Sequence, residues 1–143
     1  MTKHYCHKCT LELGIITPSI PVSLSGSSYQ LNKFMKHTAP KNSYPLNGIF
    51  NDPSYERYAN YVVTTLASGS SCILDDGRIN MYWVAGSTIG AQIEGNKPVV
   101  DADTITVVFA DDVYRIHAFP TVSSNMGITN CENCGVPIIS GSY

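Results

Sequence analysis

The sequence predicts an α+β fold in which two N-terminal helices pack on an antiparallel sheet of four to five strands, with the two chain ends joined to each other. Three observations predict it. Helix-period apolar patterns lie before residue 70 and strand-like alternation after it. Turn signals separate the alternating runs. Paired cysteines stand near both ends, in "CHKC" and "CENCG". At 143 residues the chain reads as one domain, 1–143, with a helical part over 27–68, a sheet part over 71–121 and cysteine knuckles at 6–9 and 131–134.

After the first cysteine pair, "LELGIITPSIPVSLSG" carries two prolines and short apolar runs, which read as extended chain or one edge strand. "SSYQLNKFMKHT" reads as the first helix. Ser27 or Ser28 is the N-cap, and Leu31, Phe34, Met35 and Thr38 form the inward stripe. Lys33, Lys36 and His37 share another face, and Pro40 closes the helix. "NDPSYERYANYVVTTLASG" reads as the second helix, capped by Asp52, with Pro53 in its first turn and Gly69 at its end. Its buried stripe is Tyr55, Tyr58, Ala59, Val62 and Leu66.

The remainder alternates. "SCIL" and "RINMYWVAG" flank the hairpin signal "DDG". "STIGAQIEG" follows, with Gly90 a candidate bulge. "TITVVFA" then turns through Asp111 and Asp112 into "VYRIHAFPT". Side chains alternate across a strand, so Ile79, Met81 and Trp83 face the helices, as do Ile105, Val107 and Phe109. Arg78, Asn80 and Tyr82 face the other way, alongside Arg115 and His117. Antiparallel sheets routinely keep one wet polar face, so that second set is either plain surface or the wall of a site.

The cysteines are the sharpest feature. Two CxxC pairs, Cys6 with Cys9 and Cys131 with Cys134, are the ligand set of a structural zinc site, Zn2+ held tetrahedrally by four thiolates. Gly135 after the second pair supplies the backbone freedom a tight knuckle needs. A zinc ribbon places its pairs some ~15–20 residues apart, whereas here the whole domain lies between them. The metal would therefore clip the termini together and remove loop entropy from the unfolded chain. Four thiolates leave no open position for substrate, so the metal is structural. The alternative for these residues is two disulfides or free thiols. His4 and His7 flank the first knuckle but are not needed to complete the set, and Cys72 in "SSCIL" reads as a small buried strand residue.

No apolar run approaches the ~20 residues of a membrane span. "MTKHYCHKC" has neither the apolar segment nor the cleavage site of a signal peptide, which predicts the cytoplasm, where disulfides are disfavoured. A formal net charge of −2 argues against binding long nucleic acid through its phosphates.

The order "LNKFMKHT", "GIFNDPSYERYANYVVTTL", then "TITVVFADDVYRIHAFPT" resembles the barnase/EndoU/colicin/RelE-like ribonuclease superfamily. It is most similar to the RNase A-like toxin domains of contact-dependent inhibition proteins. "KHT", "GIFNDPSY" and "IHAFPT" occupy the places of that family's motifs over about Tyr29 to Thr121. The resemblance implies a metal-independent ribonuclease that cleaves RNA by 2′-hydroxyl attack. His37 and His117 would be its acid/base pair, Lys36, Arg78 and Arg115 would hold the phosphate, and Tyr82 would stack a base or donate a proton. Such a toxin would meet RNA and an immunity protein. The chain departs from the family pattern at Leu31, Asn32 and Lys33, where the helix usually carries histidine, and at His117, where threonine is common. The clip is also not a usual feature of the family. A second expectation is a non-catalytic, zinc-stabilised binding or inhibitory protein, such as a phage or mobile-element factor acting on a host protein or nucleic acid. "NSYPLNGIF" would offer its tyrosine as a contact. A third is a subunit of a larger assembly, with "VPIISGSY" adding to a neighbour's sheet edge.

Overall fold

The computed structural model describes residues 2–15, 46–52, 54–94, 100–109 and 116–140. The expected first helix at 27–38, with His37 and Lys36, lies outside the described residues, as do Tyr114 and Arg115. Among the described residues the fold is mostly sheet, which corrects the expectation of two N-terminal helices packed on a sheet. The chain runs β1 (Lys3–Tyr5), α1 (His7–Glu12), β2 (Leu46–Phe50), α2 (Tyr55–Ser68), β3 (Ser70–Ile73), β4 (Ile79–Val84), β5 (Gly90–Glu94), β6 (Val100–Ala102), β7 (Thr104–Phe109), β8 (Ile116–Thr121), a 3-10 turn (Ser123–Asn125), β9 (Gly127–Asn130) and β10 (Pro137–Ser140). These strands form three sheets. The largest is antiparallel with the order β1-β3-β4-β7-β8, a smaller one has the order β2-β5-β6, and β9 and β10 make a two-stranded ribbon. The strands β1, β2, β6 and β9, three to five residues each, were not among the expected ones. "VPIISGSY" supplies β10, which pairs with β9 of the same chain.

α2 is the one long helix among the described residues, and it starts two positions later than the sequence implied. Ser54 is the N-cap, its hydroxyl accepting from the Arg57 amide at 3.3 Å. Asp52 instead accepts from the Ser54 amide at 2.9 Å, which shapes the approach to the cap. Gly69 follows at the C-cap. The expected apolar stripe is largely the buried one. Tyr58, Val62 and Leu66 are buried, with Thr65 added to them, while Tyr55 is half-buried. Thr65 fits a buried helix because its hydroxyl donates to the Tyr61 carbonyl at 2.8 Å.

This stripe packs on the face of the large sheet that carries Met81, Ile105, Val107 and Ala118, with Ile79 and Trp83 at the margin. That is the face alternation assigned to the helices. Phe50 from β2 and Ile89 before β5 complete the core, so the small sheet joins it beside β8. Gly90 pairs in register with both Phe50 and Ala102, and it is a point of close approach rather than a bulge. A Cβ there would collide with the Ile49 carbonyl oxygen and press on Pro120, and one at Gly48 would collide with the Pro120 carbonyl oxygen. These two glycines let the small sheet meet β8 backbone to backbone.

The opposite face of the large sheet carries His4, Cys72, Asn80, Tyr82, Thr106, His117, Phe119 and Thr121 by register. Of the expected polar grouping, Asn80, Tyr82 and His117 share this face, with His117 half-buried. Asn80, Tyr82, Thr106 and Thr121 are all buried. They bond to one another: the Asn80 amide to the Tyr82 hydroxyl at 3.3 Å, and Thr106 Oγ1 with Thr121 Oγ1 at 3.0 Å. Buried polar groups need such partners. Cys72 is buried, as expected, and its burial pushes the thiol pKa up.

Candidate metal centre

The first knuckle sits where β1 runs into α1. Cys6 is the N-cap of α1 and Cys9 lies three residues on, in its first turn, so both project from one side of the helix start. Thr10 anchors this turn. Its hydroxyl donates to the Cys6 carbonyl at 2.8 Å and meets the Ser71 hydroxyl at 2.7 Å, fastening the knuckle to β3. The second knuckle is the tight loop between β9 and β10. The Gly135 amide donates to the Cys131 carbonyl at 2.9 Å, and the Cys131 amide donates to the Val136 carbonyl at 2.8 Å. Gly135 has φ +82, the left-handed conformation that its place after "CENC" predicted.

Two contacts bring the second knuckle to the first, one through β1 and one direct. The Glu132 amide donates to the His4 carbonyl at 2.7 Å, and the Asn133 side-chain amide donates to Cys9 Sγ at 3.4 Å. The four cysteine sulfurs consequently gather within 4.8 Å of one another. Cys6 Sγ and Cys134 Sγ, 128 positions apart in sequence, are 3.6 Å apart. A tetrahedral ion with metal–sulfur bonds near 2.3 Å spaces its sulfurs by about 3.8 Å. The Cys6–Cys134 edge already has nearly that length, and the widest pair would draw in by about 1 Å. The four residues could thus hold a metal ion. Cys9 and Cys131 are 2% and 4% exposed, Cys6 is half-buried and Cys134 is exposed.

The electrostatics fit cation binding. Burial works against ionising Cys131, but the backbone amides of Cys6, Cys134 and Asn133 and the Cys134 side chain outweigh it and draw the thiol down to about 6. The Asn133 amide favours the Cys9 thiolate, yet burial and the three neighbouring sulfurs together push that thiol up to about 12. The Cys134 thiol is also raised, since burial and the Cys131 and Cys6 sulfurs overcome the Val136 amide. Four thiols this close cannot all ionise without a cation among them, and a metal removes that conflict. The chain matches no family model, no curated protein and no solved structure.

Of the residues expected of a ribonuclease, Arg78, Tyr82 and His117 lie among the described residues. Arg78 precedes β4 in the exposed turn, where its Nε bonds Asp76 Oδ2 at 2.7 Å. Tyr82 is buried in the polar layer described above. His117 is half-buried on β8, its ring 5.1 Å from that of Phe119. His117 and Tyr82 share a face with β7 between them, and His117 lies in register with Asn80 rather than Tyr82. The structure therefore brings together all four predicted metal ligands. Lys36, His37 and Arg115 lie outside the described residues. Sequence reasoning missed Asn133 and Thr10. An asparagine inside a CxxC loop was the available signal for Asn133, whereas Thr10 gains its role only through Ser71, far away in sequence.

Among the described residues no helix is long and apolar enough to cross a membrane.

Proposed function

We propose that this is a non-catalytic, zinc-stabilised binding protein, in which one Zn2+ held by Cys6, Cys9, Cys131 and Cys134 clips the two ends of the sheet system together. The observation that carries the reading is the convergence within 4.8 Å of four sulfurs from opposite ends of the sequence. An all-cysteine set suits zinc, and four protein ligands leave no coordination position for a substrate or an activated water. The clip steadies the β9–β10 ribbon, which presents Ile128 at 78% exposure and Val136 beside the metal loop. Apolar side chains held on a rigid ribbon suit contact with a protein partner. The ribonuclease reading rests on the sequence resemblance alone, and its Arg78 is engaged by Asp76.

Native mass spectrometry of the purified chain tests the proposal. One zinc per chain is expected, lost on chelation, with no cleavage of RNA by the wild-type chain or by His117→Ala. A metal-free chain, or RNA cleavage that His117→Ala abolishes, overturns it.

A further inference from the structure

The metal centre is asymmetric. Each knuckle contributes one sealed sulfur and one accessible sulfur: Cys9 and Cys131 are buried, whereas Cys134 is exposed and Cys6 partly so. The two accessible sulfurs are neighbours at 3.6 Å, although they come from different knuckles. Cys9 is further shielded by the Asn133 amide, whose N–H points at its sulfur and draws electron density from it. A disulfide within either knuckle would have to recruit a sealed sulfur, whereas one across the knuckles needs only the accessible pair.

We propose that the Cys6–Cys134 edge is an oxidative modification site, at which hydrogen peroxide joins the two sulfurs and releases the metal. This rests on reading the four cysteines as a zinc centre. The Cys134 thiolate attacks one peroxide oxygen, the O–O bond breaks, and the departing hydroxide takes a proton to become water. Cys134 is then a sulfenic acid. The Cys6 thiolate attacks its sulfur, the S–O bond breaks, and a second hydroxide leaves and is protonated. Two thiolates have given up two electrons, peroxide has become two waters, and Zn2+, left with two ligands, departs. The new bond closes the same 128-position span that the metal closed. The chain ends stay tied while Cys9 and Cys131 become free thiols.

The experiment uses the full zinc-loaded chain, with zinc content measured before peroxide is added. Substoichiometric hydrogen peroxide follows, with released zinc read by a chromogenic chelator and cysteine linkages read by peptide mapping. The expected result is one zinc released per peroxide consumed, with Cys6–Cys134 as the first linkage. Cys9, Cys131 and Cys72 remain reduced thiols, read by alkylation after denaturation. A first linkage of Cys6–Cys9 or Cys131–Cys134, or retention of zinc under peroxide, overturns the proposal. A chain that carries no zinc at the outset instead refutes the zinc reading beneath it.

Discussion

Removing one ligand, as in Cys134→Ser, should cost the stability that comes from tying together two points 128 positions apart. In the chain-entropy picture, closing a loop of that length removes about 17 cal/mol/K from the unfolded chain, or about 5 kcal/mol at room temperature. An unfolding entropy of ~2.1 cal/mol/K per residue over 143 residues is about 0.3 kcal/mol/K, so the melting temperature should fall by roughly 15 °C. Differential scanning calorimetry of wild type, Cys134→Ser, Cys6→Ser and the double variant measures this. The clip closes as a unit, so the double variant should melt close to either single variant. Chelation of the wild type should reproduce the same loss. Additive losses, or an unchanged melting temperature on chelation, would show that the cysteines act as separate packed side chains and would refute the clip.

Three further outcomes are expected. At pH 7 Cys9 and Cys134 hold their protons, because both thiols are raised above their ordinary value, so binding one Zn2+ should release at least two protons and weaken as pH falls; calorimetry in buffers of different ionisation enthalpy counts them. Asp103 accepts from the Ser123 hydroxyl at 2.6 Å, the Ser123 amide at 2.8 Å and the Thr104 hydroxyl at 3.1 Å. Burial raises its carboxyl, but these donors outweigh burial and hold it below the ordinary carboxylate value. Its stabilisation is therefore present above about pH 4 and lost as pH falls through the lowered folded value. Asp103→Ala should cost about 1–3 kcal/mol in urea melts at pH 7 and progressively less in acid. Gly90→Ala should cost at least about 1–3 kcal/mol in the same melts, since its new methyl would meet the Ile49 carbonyl oxygen in a paired strand that cannot move aside.

The sheet core was legible because alternation carries its own geometry. Met81, Ile105, Val107 and Ala118 fall on the face that α2 covers, as their spacing required, and Tyr58, Val62 and Leu66 meet them from the helix. The opposite face was only half legible. Register puts Asn80, Tyr82 and His117 together as expected. Whether such a face meets water depends on what chain lies over it, and a period of two carries no information about that. Asn80 and Tyr82 prove buried there, the Asn80 amide bonded to the Tyr82 hydroxyl. The helical share of the fold was overestimated for a related reason. Short strands such as β1 and β2 are stabilised by pairing with distant partners, β3 and β5, which a local window does not see.

The four cysteines show the division most clearly. Their spacing by itself determined the chemistry: thiolates in two CxxC knuckles suit a soft, tetrahedral cation wherever they meet. Tertiary structure alone decided how they meet. The Thr10–Ser71 hydroxyl contact holds the first knuckle on β3, and the Glu132 amide on the His4 carbonyl brings the second knuckle to it. Neither contact has a local signature, because each joins residues whose proximity depends on the whole sheet having formed. The same packing sealed Cys9 and Cys131 and left Cys6 and Cys134 within reach of solvent. That difference among four chemically identical side chains comes from burial, which is a property of the folded neighbourhood and not of the residue.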